Sequence, residues 1–353
     1  MMLASPEAAV AIPDWARDDL DRLMARGAAF LGARYAIMGG AMSWLSERHL
    51  VAALSNAGAF GVIACGAMEP PRLAEEIAGT QKLTKNPFGV NLITMHPRLD
   101  ALLDTCLAHK VGHIVFAGGI PPGAAIKRAK DAGAKVVCFT PALALAKKLI
   151  RSGADALVIE GSEAGGHIGP VSLNVLAQEI LPHVTDVPIF VAGGIGRGEA
   201  MLSFLDMGAA GAQLGTRFVC ATECVAHPNF KRAFLRGAAR DALPTVQLDE
   251  RFPVIPVRAL QNQGTRRFLE HQAVVIRRFL AGEVEKGAAQ LDIEHYWAGA
   301  LRRAAIDGDV EQGSLMAGQS VGMVTKEQSV AEINAELIDQ AATAIAARRR
   351  NAP

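Results

Sequence analysis

Between residues 35 and 214 the chain repeats one pattern: a short apolar run, then a stretch of helical composition. The runs fall at 35–39, 60–64, 87–92, 112–117, 134–139, 155–160, 187–192 and 210–214. They are apolar at successive positions, so they read as strands buried on both faces, the mark of a parallel sheet. Ala/Leu/Lys-rich segments such as 141–152 and 199–208 lie between them. Several runs follow a glycine beside alanine, as in Asp131-Ala132-Gly133 and Met207-Gly208-Ala209. Glycine there supplies the left-handed cap that ends a helix before the chain turns back. Alternating strand and helix makes βα units. Eight such units point to an α/β chain closed as a (β/α)₈ TIM barrel. A doubly wound open sheet competes, but no GxGxxG turn follows the first strand.

The rhythm covers only part of the chain. Residues 1–31 read as an N-terminal helical extension, with Trp15, Leu20, Leu23 and Met24 apolar among charges and directed at the outside of the main domain. Residues 32–250 form the predicted barrel. Residues 251–353 are helix-rich and are expected to give a helical cap over the mouth and a C-terminal tail, with a second Gly-rich stretch at 313–322. Half of the residues are hydrophobic, enough for a large core, and 35 glycines against 5 % aromatics suit Val/Ile strands joined by tight turns.

Charge and cysteines exclude several classes. With 36 basic and 35 acidic residues, the formal net charge of +1 gives no footprint for nucleic acid. The one basic run, Arg348-Arg349-Arg350, reads as a frayed, solvated tail. Cys65, Cys106, Cys138, Cys220 and Cys224 form no CxxC pair and complete no zinc pattern, so they read as reduced thiols of a cytoplasmic protein with no bound metal. The N-terminus lacks a basic stretch before an apolar core, which argues against a secretory signal. No apolar run reaches the roughly 18 residues of a membrane span. The partner expected is a small-molecule substrate; oligomeric state is left open, a homodimer included.

In a barrel of this kind, function gathers at the C-terminal ends of strands. After the sixth run comes Glu160-Gly161-Ser162-Glu163-Ala164-Gly165-Gly166-His167-Ile168-Gly169. Glycines let backbone approach a flat or charged ligand, and an imidazole, whose ordinary pKa lies near neutrality, can then take or give a proton beside it. A lone loop histidine more often only bonds backbone; the glycine density and strand-end position favour the catalytic reading of His167. Gly193 and Gly194 follow the seventh run, and Gly215 and Thr216 the eighth. That is where this fold builds phosphate sites from backbone amides, Thr216 adding a hydroxyl; plain βα turns are the plainer reading. Asn91 ends an apolar run, where a satisfied buried amide is equally common. The loop 39–44 could lie along a flat ring. His49, His113 and His183 read as structural, and His227 as a turn cap before Pro228.

Together, EGSEAGGHIG (160–169), VAGGIG (191–196), QLGTRF (213–218), AHPNFK (226–231) and GSLMAGQSVG (313–322) resemble the nitronate monooxygenase superfamily, which includes 2-nitropropane dioxygenases and the flavin-dependent enoyl-acyl-carrier-protein reductase II. The resemblance covers roughly residues 32–335. It implies an FMN-containing TIM barrel in which Met42, Asn91, Glu160, Gly193, Gly194, Gly215 and Thr216 contact FMN. Gly165 and Gly166 would bring backbone to the cofactor, and His167 would be the catalytic histidine. Ser314, Met316, Ala317, Gly318 and Gln319 match the segment that approaches the flavin and its phosphate. One departure is Met38-Gly39-Gly40-Ala41-Met42, where such families often carry a Gln, so the substrate contact of that amide does not carry over.

The resemblance implies an FMN-dependent oxidoreductase. The first reading is oxidation of alkyl nitronates or similar small acidic carbon compounds with O₂. The alternative is reduction of an enoyl thioester with NADH or NADPH as electron donor, towards which AHPNFK and GSLMAGQ lean. An alternative of another class is a non-catalytic FMN-binding protein.

Overall fold

The structure is a computed structural model that describes residues 12–350, apart from Arg251 and the side chains of Glu294 and Ala298. The expectations that fall on residues 1–11 and 351–353 lie outside the described residues. The eight barrel strands are β1 (Ile37–Gly39), β2 (Gly61–Ala64), β3 (Phe88–Ile93), β4 (His113–Ala117), β5 (Lys135–Phe139), β6 (Ala156–Glu160), β7 (Ile189–Ala192) and β8 (Gly211–Leu214). Each lies within or one residue beyond an apolar run of the sequence. Neighbours run parallel in chain order from β2 to β8, and β8 returns to β1. The ring closes between β1 and β2, where Gly39 N–H donates to Phe60 O and Phe60 N–H to Ile37 O, each at 2.8 Å. It is the expected (β/α)₈ TIM barrel. Both strand faces are apolar because the inner one fills the barrel and the outer one is covered by helices: Val136, Val137, Leu157, Val158 and Ile159 are all fully buried.

The N-terminal helix, Asp14–Leu31, buries Leu20, Met24 and Leu31 and ends under the barrel. A side chain at Gly27 would run into Ala210 O at 2.1 Å, so glycine permits this approach. Phe30 sits beside His113 at the start of β4 and Phe190 in β7. His113 Nε2 is 3.1 Å from Phe30 O, and burial pulls its pKa down to about 4, so it stands there as a neutral structural group. His227 N-caps the helix Pro228–Arg236, its Nδ1 accepting from Asn229 N–H at 3.1 Å.

Beyond the barrel the helix-rich tail divides. Ala242–Pro244, Val257–Leu260 and Leu315–Met316 join Gly166–His167 in a small antiparallel sheet. Helices Gln263–Leu280 and Lys286–Ala305 pack on this sheet around a second apolar cluster of Phe252, Val257, Phe268, Val275, Ile276, Ala289, Ile293 and Trp297. Phe268 and Trp297 lie 4.1 Å apart between ring centroids. The cap touches the barrel on a second side, where the Arg302 guanidinium lies 5.7 Å above the Trp44 ring.

The last helix, Val330–Arg350, leaves the mouth and packs outside the barrel on helix Gly198–Asp206, the N-terminal helix and helix Arg48–Asn56. A side chain at Gly198 would collide with Leu337 O at 1.9 Å, so the two helices meet backbone to backbone. The expected frayed basic tail is corrected here. Arg348 to Arg350 are helical, Arg348 pairs with Asp206, and Arg349 lies 4.6 Å over the Trp15 ring. The three arginines are exposed, as a solvated run should be, but they are helical and their neighbours supply an acid and an aromatic face.

Candidate active site

The ring order β1, β8, β7, β6 sets four loops side by side at one end of the barrel. Register levels them: Glu160 faces Ala192, Ala192 faces Gln213, and Leu214 faces Gly39.

The loop after β6 is clamped along its length. Gly161 N–H donates to Ala192 O at 3.0 Å and Ser162 N–H to Val171 O at 2.8 Å. The Glu163 carboxylate accepts from Leu173 N–H at 2.9 Å, the start of helix Leu173–Ile180. A side chain at Gly165 would strike Gly318 N at 2.5 Å, and one at Gly318 would strike Glu163 O at 2.8 Å. Gln319 N–H donates to Glu163 O at 2.9 Å. Gly165, Gly318 and Gln319 are thus brought together, and glycine at both positions is what allows the contact. Next, Gly166 and His167 pair with Arg258 and Val257, and Ile168 N–H donates to Pro256 O at 3.0 Å. His167 is therefore held as a strand residue, with an exposed side chain. Gly166 has φ +81°, which disfavours any other residue, and among the described residues a Cβ there would meet only Met316 Sδ, at 3.7 Å.

The loops after β7 and β8 carry donors. Gly193 and Gly194 have φ +95° and +71° and pack against the β6 loop, where added methyls would meet Gly161 O at 3.0 Å and Glu163 Cβ at 2.9 Å. Among the described residues, the amides of Gly193, Gly194, Ile195, Gly196 and Gly215 donate to no protein acceptor. A backbone N–H with no partner is costly unless water or a ligand meets it. At Gly215 an added methyl would find only the Met42 side chain, with Sδ at 3.6 Å. Thr216 Oγ1 accepts from Gly318 N–H at 3.0 Å, which leaves its own hydrogen to donate.

Met42 sits in a loop closed by Ser46. Met42 N–H donates to Ser46 Oγ, and Ser46 Oγ to Gly40 O, both at 2.9 Å. Trp44, two residues on, has φ +69°, a strained value for a bulky residue. Glu160, at the end of β6, accepts no hydrogen bond among the described residues, and burial pushes its carboxyl up to about 8. Near neutral pH it is mostly a neutral acid, able to donate. Asn91 stands across the barrel on β3, buried, with Nδ2 donating to Val115 O at 3.1 Å. Ser314 lies against the cap, its N–H bonded to Ala300 O at 2.8 Å.

These residues fit FMN. The open amides and the bare Gly215 suit a phosphate. The Met42 and Met316 thioethers flank glycines with room beside them and offer soft apolar surface to a flat ring. Ser46 and Arg258 were not singled out by sequence reasoning. Arg258 had one available signal, a charge inside the apolar run Val257-Arg258-Ala259-Leu260. Among the described residues no group of three or more His, Cys, Asp or Glu side chains is gathered as metal ligands would be.

The model of the nitronate monooxygenase family matches residues 26–102 and 96–340. The chain belongs to the nitronate monooxygenase family. It is accordingly a flavin-dependent oxidoreductase. A curated relative from Rhodococcus jostii is 29 % identical over 315 residues, covering 83 % of this chain and 89 % of the relative; it is named as a (3aS,4S,5R,7aS)-5-hydroxy-7a-methyl-1-oxo-octahydro-1H-indene-4-carboxyl-CoA dehydrogenase. A probable nitronate monooxygenase of Staphylococcus aureus is 26 % identical, covering 78 % of this chain and 91 % of its own. Among solved structures, FabK from Thermotoga maritima superposes with a TM-score of 0.82 at 33 % identity, over 93 % of this chain and 99 % of its own. Nitroalkane oxidase from Streptomyces ansochromogenes gives 0.73 at 27 % identity, over 88 % and 97 %.

Proposed function

We propose that this chain binds FMN across the tops of β6, β7, β8 and β1 and oxidises alkyl nitronates, or similar carbon acids, with O₂. The observation that carries this reading is the set of amides at Gly193 to Gly196 and Gly215 with no acceptor among the described residues, one loop away from a histidine fixed in a strand. FMN supplies the electron transfer; the rest is the work of the chain. The amides and the Thr216 hydroxyl bind the phosphate. Met42 and Met316 flank the ring, with Gly166 and Gly215 leaving room for its approach. The neutral Glu160 carboxyl donates to an acceptor atom of the bound molecule. His167 holds the nitronate anion, or takes the proton of the acidic carbon where the substrate enters as the neutral carbon acid. The family's chemistry suits such substrates, since a nitro or thioester group acidifies the neighbouring carbon.

A second reading, reduction of an enoyl thioester by NADH or NADPH, is the one towards which the segments AHPNFK (226–231) and GSLMAGQ (313–319) lean. Anaerobic mixing of the flavin-loaded protein with a panel of donors separates the two. Bleaching by a nitronate and not by NADH or NADPH supports the first reading, and rapid bleaching by a nicotinamide supports the second. The five cysteines are all buried free thiols, which agrees with a cytoplasmic setting. Among the described residues no helix is long and apolar enough to cross a membrane.

A further inference from the structure

The loop that carries His167 holds three glycines in six residues, Gly161 to Gly166, and such a segment does not stay in one conformation unaided. Part of what holds it is a cation. Arg258 lies on the cap strand Val257–Leu260, directly opposite Gly166 in the register. Successive residues of a strand face opposite ways. Val257 points into the apolar cluster of the cap and Leu260 into that of the barrel, which puts Arg258 on the barrel side. The side chain is only 6 % exposed. Its Nε donates to Ser162 O at 2.9 Å and its Nη1 to Ala242 O at 2.5 Å. One guanidinium thus ties the flavin loop, the cap strand and the strand Ala242–Pro244.

The chemistry argues for a positioning role. Burial lowers the Arg258 pKa, and the nearby Glu163 carboxylate opposes that shift. Among the described residues, two carbonyls and no bonded carboxylate offset the desolvation of this cation. A well-packed apolar residue fills such a space at lower cost, so packing alone is a poor account of a buried charge. What an arginine adds is directional, charge-assisted bonding in a fixed planar fork. That fork grips the loop five residues before His167, while the register grips it at Gly166.

We infer that Arg258 is a positioning residue: it braces the Gly161–Gly166 loop against the cap so that His167 meets its substrate in one geometry. The inference rests on the proposed role of His167. A displacement of about 1 Å at a reacting group can lower the rate by about 100-fold. Arg258→Met keeps the stem and removes the donors, and Arg258→Lys keeps the charge but reaches one carbonyl at most. For Arg258→Met we expect faster hydrogen exchange of the amides of 161–168 with the barrel strands unchanged. We also expect kcat lowered about 10- to 100-fold, with KM and FMN affinity within about threefold of wild type, and Arg258→Lys in between. If the brace acts through His167, the double variant Arg258→Met/His167→Ala is no slower than His167→Ala alone.

Unchanged exchange in the loop overturns the brace whatever the reaction. So does a double variant in which the two losses multiply, because Arg258 then acts elsewhere. If Arg258→Met misfolds, Arg258→Lys carries the same comparisons. A His167→Ala protein with full turnover instead sinks the functional reading beneath the inference, and it is seen in a separate variant.

Discussion

At the scale of single residues, the site depends on which backbone and side-chain atoms the protein leaves unpaired. His167 has a strand partner on the cap, so removing its ring does not release the loop. His167→Ala should retain FMN and lose about 10²- to 10⁴-fold in turnover, the range for a general acid or base; flavin absorbance and steady-state rates check both halves. Gly215 tests the phosphate contact. Its φ is −107° and an added methyl meets only Met42 at 3.6 Å, so Gly215→Ala should fold normally. A methyl at the phosphate approach should still weaken FMN binding by about tenfold or more, which one lost charge-assisted hydrogen bond amounts to. Glu160 gives a pH dependence with a definite sign. Its folded pKa is raised from 4.5 to about 8, so the folded protein keeps a proton that the unfolded chain releases across that window. This contribution to stability is full below the unfolded pKa and is lost as pH rises towards 8. The melting temperature of the flavin-free protein should fall across that range, and Glu160→Gln should flatten the slope.

At the scale of elements, the mouth is built from contacts that only glycine permits. The segment 315–319 reaches the β6 loop because neither Gly165 nor Gly318 carries a side chain. Gly318→Ala pushes a methyl to 2.8 Å from Glu163 O and 3.0 Å from Gly165 N. It should destabilise by about 1–3 kcal/mol, as overpacking does, and loosen FMN with it; thermal melts with and without flavin show both effects. The strands themselves were legible in the sequence because a parallel barrel strand is apolar on both faces, and the missing GxGxxG turn told against an open doubly wound sheet built from the same kind of strand. The small sheet of the mouth was not. Its strands are two to four residues long, and Gly166–His167 becomes a strand only because Val257–Leu260 comes to lie beside it. No local pattern encodes a pairing between segments about 90 residues apart.

At the scale of the whole molecule, the barrel supplies level strand ends, the cap holds the histidine loop, and the terminal helices seal the outside and the base. The glycine motifs of 160–169, 193–196 and 215–216 could be read as a site because fold and composition agree on their position. Arg258 could not, because a buried arginine in an apolar run signals a structural bond until its acceptors, Ser162 O and Ala242 O, are seen. That the tail arginines are helical and not frayed was missed for the complementary reason: Asp206 and Trp15 approach them from distant parts of the chain. All of the functional reading depends on unpaired amides at the tops of β7 and β8 gripping a phosphate. Titrating the flavin-free protein with FMN and, separately, with riboflavin measures that grip directly. FMN should bind about 100-fold or more tightly, since two charge-assisted hydrogen bonds at about 1.5 kcal/mol each supply at least that ratio; equal affinities for the two flavins would contradict it.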